Sequence, residues 1–199
     1  MARVPILSFP ETETPPELRA QVLALQDDAW PSSGPRPVDP SPGSPVHDPA
    51  LRPVSVLSVA ADGTVRAALD VLRTELWHAG ARWAVGGLST VVTRRAERGR
   101  GHGGRLAAAG RALMVDEGLD LGLFTCDRPL RGFYEGAGWV MLPGTVLVGG
   151  TVSDPFPSDA PGFAKVTMSA FFTPAARAAA SGFRHARVGL YPGAIDRLW

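Results

Sequence analysis

RRAERGRGHGGR, at residues 94–105, separates a strand pattern that ends at Thr93 from a helix pattern that begins at Leu106. Glycines allow the backbone of such a loop to turn its N–H groups toward one point. The first turn of the following helix adds N–H groups without partners and the positive end of the helix dipole. The arginines add charge-assisted hydrogen bonds. The segment therefore predicts a binding site for an anion such as a pyrophosphate.

Other interpretations of this loop fit its pattern less well. Arginine-glycine tracts that bind RNA are longer and lie in disordered regions, whereas this tract lies between two regular elements. A dinucleotide-binding loop has the spacing Gly-x-Gly-x-x-Gly after the first strand of its fold, and a P-loop contains Gly-Lys followed by Ser or Thr. Gly99, Gly101 and Gly104 have the first spacing, but several strand patterns precede them, and no Gly-Lys followed by Ser or Thr is present. A glycine-rich turn without function is the remaining alternative.

Three strand patterns precede the loop. VSVLSVA (54–60) and TVRAALDVLRTEL (64–76) flank an Ala-Asp-Gly turn and predict a hairpin, and RWAVGGLSTVVT (82–93) follows as a third strand. Hairpins imply antiparallel pairing. Gly86 and Gly87, inside the third strand, indicate a bulge or the close approach of another group.

A helix and a buried strand follow the loop. The helix pattern over 106–117 ends at Gly118, and LDLGLFTCD (119–127) is a short apolar run typical of a buried strand. A strand–helix–strand unit implies a parallel pair with a right-handed crossover. Together with the hairpins, it predicts an α/β (α+β) fold: a mixed, twisted sheet of about seven strands flanked by helices.

The outer parts of the chain add further elements. Thr14-Pro15-Pro16-Glu17 matches a capping box with Thr14 as the N-cap and Pro15 at the first helical position, followed by apolar residues at helical spacing. The C-terminal part predicts a short helix (129–137), a strand (144–149), a polar loop (150–162), a strand (164–171), a helix from Thr173-Pro174, and a strand (186–191).

Composition limits the functional classes. The 199 residues are 45% hydrophobic and 20% charged with a net charge of +1, which predicts a globular protein that bulk charge does not draw to nucleic acid or membranes. Cys126 is the single cysteine, so a disulfide framework and a multi-cysteine zinc site are excluded. The sequence has neither a signal-peptide pattern nor an apolar run of membrane-spanning length. We expect a cytoplasmic protein.

One domain spanning residues 1–199 is expected from this length. Residues 31–53 hold eight of the nineteen prolines, so regular structure is not expected there. Such a long segment is either a surface linker or an ordered loop over a pocket, and the sequence leaves both open.

The loop and a second motif together resemble a known family. Arg98-x-x-Gly101-x-Gly103 resembles the Arg/Gln-x-x-Gly-x-Gly/Ala signature of the GCN5-related N-acetyltransferases, and FYEGAGW (133–139) resembles the family's Phe-Tyr-x-x-x-Gly-Trp element. The two motifs agree in order and spacing, and the match covers roughly residues 55–145. The resemblance implies the family's fold, with two neighbouring strands splayed apart at a slot for acetyl-CoA.

The resemblance also implies which residues bind acetyl-CoA. The loop would hold the pyrophosphate, and the preceding strand would offer backbone hydrogen bonds to the pantetheine arm. The residues so assigned are Val91, Val92, Thr93, Arg98, Gly99, Arg100, Gly101, His102, Gly103 and Gly104.

A narrower similarity is to the aminoglycoside 2'-N-acetyltransferases, including those that modify kasugamycin. It rests on the spacing from the loop to Phe133-Tyr134, on an acidic loop before a late strand, and on a chain that ends in Trp199. It implies an aminoglycoside amine as substrate and antibiotic inactivation as the role, with another small amine, a polyamine, a peptide or a non-catalytic acyl-CoA-binding module as alternatives. The substrate-binding residues so predicted are Trp30, Glu75, Ser89, Thr125, Asp159 and Trp199.

Acetyl transfer to an amine needs a neutral amine and a proton for the leaving thiolate. The resemblance assigns the general acid to Tyr134; packing of this aromatic ring in the core is the alternative. The position of the subfamily's glutamate base is Ser89 here, which cannot act as a base alone. Asp127 is a substitute, although it also fits an N-cap before Pro129. Glu75, the carboxylate of Trp199 and a water chain remain further candidates.

The remaining reactive side chains receive other expectations. Cys126 lies in an apolar strand and is expected to be a buried small hydrophobe, and His102 is expected to contact CoA rather than to act as a base. No metal site is predicted. The expected partner is a small-molecule amine, and a homodimer is left open. If Asp127, Asp154, Asp159 and Asp196 converge, they would attract a cationic aminosugar; otherwise they are solvated turn residues.

Overall fold

Two β-sheets organise the computed structural model, which describes residues 4–31 and 45–199. The larger sheet has seven strands in the order β1-β2-β3-β4-β5-β9-β6, and the smaller has the order β10-β7-β8. The strands are β1 (Ile6–Pro10), β2 (Val54–Val59), β3 (Val65–His78), β4 (Ala81–Thr93), β5 (Leu121–Cys126), β6 (Val140–Met141), β7 (Val146–Gly150), β8 (Pro155–Pro157), β9 (Val166–Phe171) and β10 (Arg187–Gly189). The helices are α1 (Pro16–Ala29), α2 (His102–Asp116), α3 (Arg131–Glu135) and α4 (Pro174–Ala179).

The first four strands form an antiparallel meander. Tight turns join β2 to β3 and β3 to β4, and Gly63 and Gly80 have positive φ angles of 81° and 77° there, a conformation that glycine adopts without steric cost. The predicted hairpin and third strand are thereby confirmed.

Helix α2 links β4 to β5, and these two strands pair in parallel, as predicted for the strand–helix–strand unit. Their pairing is limited to Val85↔Leu121 and Gly86↔Gly122. Beyond Gly86 the strands diverge, while β5 continues in antiparallel pairing with β9 through Cys126. The mixed seven-stranded sheet and its splay therefore match the expected fold.

The two faces of the large sheet carry different cores. Leu106, Gly110 and Met114 of α2 pack on one face of the central strands. Leu18 and Val22 of α1 cover the other face, in a smaller cluster with neighbouring strand residues. Both helices bury the apolar positions that recur at helical spacing, so each side of the sheet is shielded from water.

Some sequence predictions need correction. Strands β1, β6 and β8 were not predicted; β8 lies inside the predicted polar loop and pairs with β7. The capping box was wrong by one residue: Pro15 is the N-cap, without a side-chain hydrogen bond, and Pro16 opens α1. The Thr14 hydroxyl instead donates to the Pro10 carbonyl at 3.5 Å.

Most of the proline-rich segment, residues 32–44, lies outside the described residues. In the described ranges, no helix is long and apolar enough to cross a membrane.

Candidate functional site

A cleft of about 210 Å³ opens where β4 and β5 diverge. An irregularity in β4 helps to form it: the register with β3 shifts between Ala68 and Asp70, and Thr90 opposite has a φ of 49°. The cleft is lined by Trp30, Leu88, Ser89, Thr90, Val91, Thr125, Cys126, Asp127, Leu130, Tyr134, Phe163, Lys165, Leu198 and Trp199. The structure thus brings together Tyr134, Asp127, Val91, and four of the six predicted substrate-binding residues: Trp30, Ser89, Thr125 and Trp199.

Trp199 lies between the two diverging strands. Its indole Nε1 donates to the Leu123 carbonyl of β5 at 2.8 Å, and its side chain is buried. Its main-chain oxygen accepts from the Thr125 N–H at 2.8 Å and from the Thr125 hydroxyl at 3.1 Å. Thr125 therefore holds the tail of this chain rather than offering a free hydroxyl to a ligand.

Tyr134 forms one wall of the cleft. Helix α3 buries it, with ring contacts at 4.8 Å to Phe124 and to Phe133. Burial raises the pKa of its phenol above the usual value near 10, and the nearby Cys126 and Asp127 add to the effect. The phenol is therefore protonated at physiological pH and can donate a proton into the cleft.

Cys126 is buried beside Tyr134. Burial, with a further contribution from the charge of Asp127, raises the pKa of its thiol to about 11. A neutral thiol is a weak nucleophile, so this cysteine has the surroundings of the small hydrophobe that the sequence suggested.

Asp127 lies at the outer end of β5. It occupies the N-cap position of a short 3₁₀ helix (Arg128–Leu130), but its side chain makes no capping hydrogen bond. The carboxylate instead accepts from Lys165 Nζ at 2.5 Å, and the side chain is 61% exposed. Among the described residues, Asp127 provides the only Asp or Glu side chain that lines the cleft.

The glycine-rich loop follows β4 and leads into α2. Gly99 and Gly101 have φ angles of 76° and 78°, and Gly101 is the N-cap of α2 without any side-chain cap. A Cβ on Gly103 would lie 2.9 Å from Thr93 Oγ1, whereas a Cβ on Gly104 would meet nothing within 4 Å. The glycines thus allow the left-handed turns, press the loop against β4, and leave the first turn of α2 open on one side.

The His102 side chain turns inward from the loop. His102 is buried, and its ring nitrogens face Ser58 Oγ at 3.3 Å, Arg105 at 2.8 Å and Glu97 at 3.3 Å. Burial lowers its pKa, and the charge of Arg105 lowers it further. The His102 ring packs the start of α2 against β2 instead of facing out of the loop, and a contact of this residue with CoA stays a prediction.

Two arginines surround the loop. Arg98 Nε donates to the Thr93 carbonyl at 3.2 Å, and Arg100 pairs with Glu97 at 3.4 Å. Both retain further donors at the surface, so each can still turn a guanidinium toward an anion. In β4, Val91 lines the cleft, but Val92 is buried in the core beneath α1.

The predicted acidic residues do not converge. Glu75 forms an exposed ion pair with Arg82 and does not line the cleft. It lies opposite Ala84, in a part of β4 that comes before the point where β4 and β5 diverge. Asp159 pairs with Arg187, and Asp154 pairs with Arg197. Asp196, another of the acidic residues expected to converge, contacts the buried side chain of His47. We therefore remove Glu75 and Asp159 from the candidate site.

The comparisons agree with this geometry. Similar solved structures include Escherichia coli ElaA (14% identity, TM-score 0.56, 84% of this chain and 99% of that one) and an acyl-CoA N-acyltransferase from Pseudomonas aeruginosa (16%, 0.55, 83% and 97%). A GCN5-related N-acetyltransferase from Anabaena variabilis matches with 14% identity, a TM-score of 0.52, and 70% and 33% coverage. No family model and no curated protein matches the sequence.

The chain has the fold of the GCN5-related N-acetyltransferases. In terms of that fold, the diverging strands are β4 and β5, and the glycine-rich loop lies at the end of β4 that borders the cleft. The open first turn of α2 and the exposed arginines fit a pyrophosphate.

A buried polar cluster that was not predicted lies beside the cleft of this N-acetyltransferase-like fold. His47 Nδ1 lies 2.6 Å from Asp196, and its Nε2 lies 3.3 Å from Asp70 of β3. Asp70 also accepts from the hydroxyls of Ser55 at 2.6 Å and Thr90 at 2.5 Å. His47 lies in the proline-rich segment, and no sequence spacing connects it to the other members. The alternation of Ser55 and Asp70 with apolar residues was the available signal.

Proposed function

We propose that this protein is an acetyl-CoA-dependent N-acetyltransferase that transfers the acetyl group directly to an amine in a ternary complex. The observation that carries the proposal is the position of Tyr134, whose protonated phenol faces a cleft between β4 and β5. The end of β4 that lines this cleft leads through the glycine-rich loop to the N-terminus of α2, which would hold a pyrophosphate.

Binding would use the C-terminal end of β4 and the loop that follows it. The open N–H groups of α2 and the guanidinium groups of Arg98 and Arg100 would hold the pyrophosphate. Polar backbone groups of β4 near Val91 would hold the thioester arm in the splay. Fixing both substrates in one cleft converts the transfer into an effectively unimolecular step.

The reaction needs two proton movements. The amine nitrogen attacks the thioester carbonyl, a C–N bond forms, and the C–S bond breaks. Tyr134 donates its phenolic proton to the departing sulfur, so CoA leaves as a thiol. The nitrogen loses its proton through water to a base, and solvent carries a proton from that base back to the phenolate. Because burial keeps the Tyr134 pKa high, the group is in its acidic form over the whole neutral range.

Asp127 is the residue proposed to take the amine proton through water. Its carboxylate lines the cleft and is accessible. Lys165 holds it in place at 2.5 Å. Ser89, also in the cleft, would orient the water but cannot accept the proton as a base at neutral pH.

The finer proposal is that the acceptor is an aminoglycoside, acetylated at a 2'-amino group as in the kasugamycin-type enzymes. It is supported by the motif spacing and by the polar groups Ser89 and Asp127 beside Trp30, an indole face suited to a sugar ring. Asp154 and Asp159 each pair with an arginine. They therefore do not add the electrostatic attraction for a polycationic substrate that an unpaired acidic cluster would have provided.

The test is thiol release from acetyl-CoA against a panel of amines: kasugamycin, gentamicin-type sugars, spermidine and short peptides. Release with one class, with a gain of one acetyl mass on the acceptor, is the expected result. Tyr134→Phe removes only the hydroxyl and should lower kcat by about 10²–10⁴-fold, the usual contribution of a general acid. Binding of acetyl-CoA without release for any acceptor would refute the enzymatic proposal and favour an acyl-CoA-binding module.

A further inference from the structure

The indole of Trp199 is fitted into the sheet itself. It lies beside Gly87 of β4 and donates to the Leu123 carbonyl of β5 at 2.8 Å. These residues directly follow Gly86 and Gly122, the last pair before the strands separate. The side chain therefore occupies the closed end of the splay.

Gly87 is matched to this arrangement. A Cβ on Gly87 would lie 1.8 Å from Trp199 Nε1 and 2.7 Å from the Leu123 carbonyl oxygen, so any larger residue would expel the indole. The neighbouring Thr125 anchors the tail with two hydrogen bonds to the Trp199 main-chain oxygen, at 2.8 Å and 3.1 Å. Trp199 is thus held by three hydrogen bonds, one from its indole and two to its main-chain oxygen, and its indole lies against a complementary glycine. It is a fixed wall, not a mobile surface group.

The same indole borders the reacting atoms of the proposed reaction. Trp199 lines the cleft together with Tyr134, Cys126 and Ser89. An acyl group whose thioester sulfur lies near the Tyr134 phenol must extend into the space between β4 and β5. The open part of that space ends at the indole.

We infer that Trp199 determines acyl-chain length: it limits the donor to acetyl-CoA by blocking the space that a longer acyl chain would enter. This inference rests on the proposed function and deepens it by naming the donor class. In a close-fitting apolar pocket, one added methylene changes discrimination by about 10–200-fold. Replacing the indole by a methyl group opens a space on the order of 150 Å³, comparable to engineered cavities that admit small apolar ligands.

The test is calorimetric titration with CoA, acetyl-CoA, butyryl-CoA and hexanoyl-CoA, which needs no acceptor. The wild-type protein should bind acetyl-CoA at least about tenfold more tightly than hexanoyl-CoA, and Trp199→Ala should reduce that preference at least about tenfold. Trp199→Phe, which keeps an aromatic wall, should retain the wild-type preference. If Trp199→Ala does not fold, Trp199→Leu takes its place, with the same expected loss of preference.

The outcomes separate the two proposals. Equal preferences in the wild type and in the folded Ala or Leu variant would overturn the role of Trp199 while leaving the acetyltransferase proposal intact. A wild type that binds neither CoA nor acetyl-CoA would overturn the proposed function and, with it, the donor selection.

Discussion

His47 should stabilise the fold in a pH-dependent manner. Its ring is buried between the carboxylates of Asp196 and Asp70. Burial opposes the charged form, but the hydrogen bond to Asp196 and the charges of Asp70 and Asp196 outweigh it and raise the pKa of His47 to about 10. The other acidic groups nearby are Glu11, which accepts from the Val46 N–H, and Asp48. The native state therefore holds a proton that the unfolded chain releases near pH 6.5.

The sign and size of the effect follow from proton linkage. The stabilisation is fully present below pH 6.5 and is lost as the pH rises toward about 10, with a slope of about 1.4 kcal/mol per pH unit in that window. The whole effect is about 5 kcal/mol, similar to the 3–5 kcal/mol cost of breaking a buried ion pair by removing one partner. His47→Gln should abolish the slope and destabilise the protein at pH 6 by about 3–5 kcal/mol.

Urea unfolding of the wild type and His47→Gln at half-unit steps from pH 6 to 10.5 measures both quantities. His185→Gln is the matched control, because it makes the same substitution at an exposed histidine of the chain. The difference in slope between wild type and variant isolates His47 from other titrating groups. Parallel curves for the wild type and His47→Gln would refute the buried imidazolium.

Three further substitutions test the site and the sheet. Asp127→Asn should lower kcat by about 10²–10⁴-fold, whereas the control Lys165→Met should change kcat much less. An unchanged kcat in Asp127→Asn would exclude the base role. In Gly101→Ala, the alanine must adopt a φ of 78° at a cost of about 1–2 kcal/mol. The affinity for acetyl-CoA, measured by titration, should therefore fall about tenfold. An unchanged affinity would mean that the pyrophosphate binds elsewhere. Gly122→Ala would set a Cβ 2.5 Å from the Trp139 ring and should lower the free energy of unfolding by about 1–3 kcal/mol, and an unchanged urea midpoint would contradict this packing.

The sequence predicted the parts of the fold that depend on local pattern. The hairpin, the strand–helix–strand unit and the glycine-rich loop have their signals within a few residues, in turn glycines and in alternating or continuous apolar runs. Strand β1 was missed because its residues are mostly exposed, and β6 because it has two residues. Short or solvated edge strands carry little apolar pattern.

Within the candidate site, the sequence placed Tyr134, Asp127 and the loop glycines by motif, but it could not decide side-chain directions. His102 shows the difference: its position in the loop was predicted, yet its ring turns inward to Ser58 and Glu97. The acidic residues show the same limit, since each finds a basic partner from another element. Ion pairs between distant segments leave no periodic signal.

The tail shows most clearly why the cleft could not be derived from local pattern. Asp196 contacts His47, and Trp199 contacts Leu123 and Thr125, so four residues of tail connect the segment before β2 to the middle of β5. Through Asp70 the same cluster reaches Thr90, whose left-handed backbone lies in the cleft wall. The irregular part of β4 and the closed end of the splay are thus stabilised by one short stretch of chain. A substitution of His47 should therefore shift the position of Trp199, because the contacts of both residues hold the same tail in place.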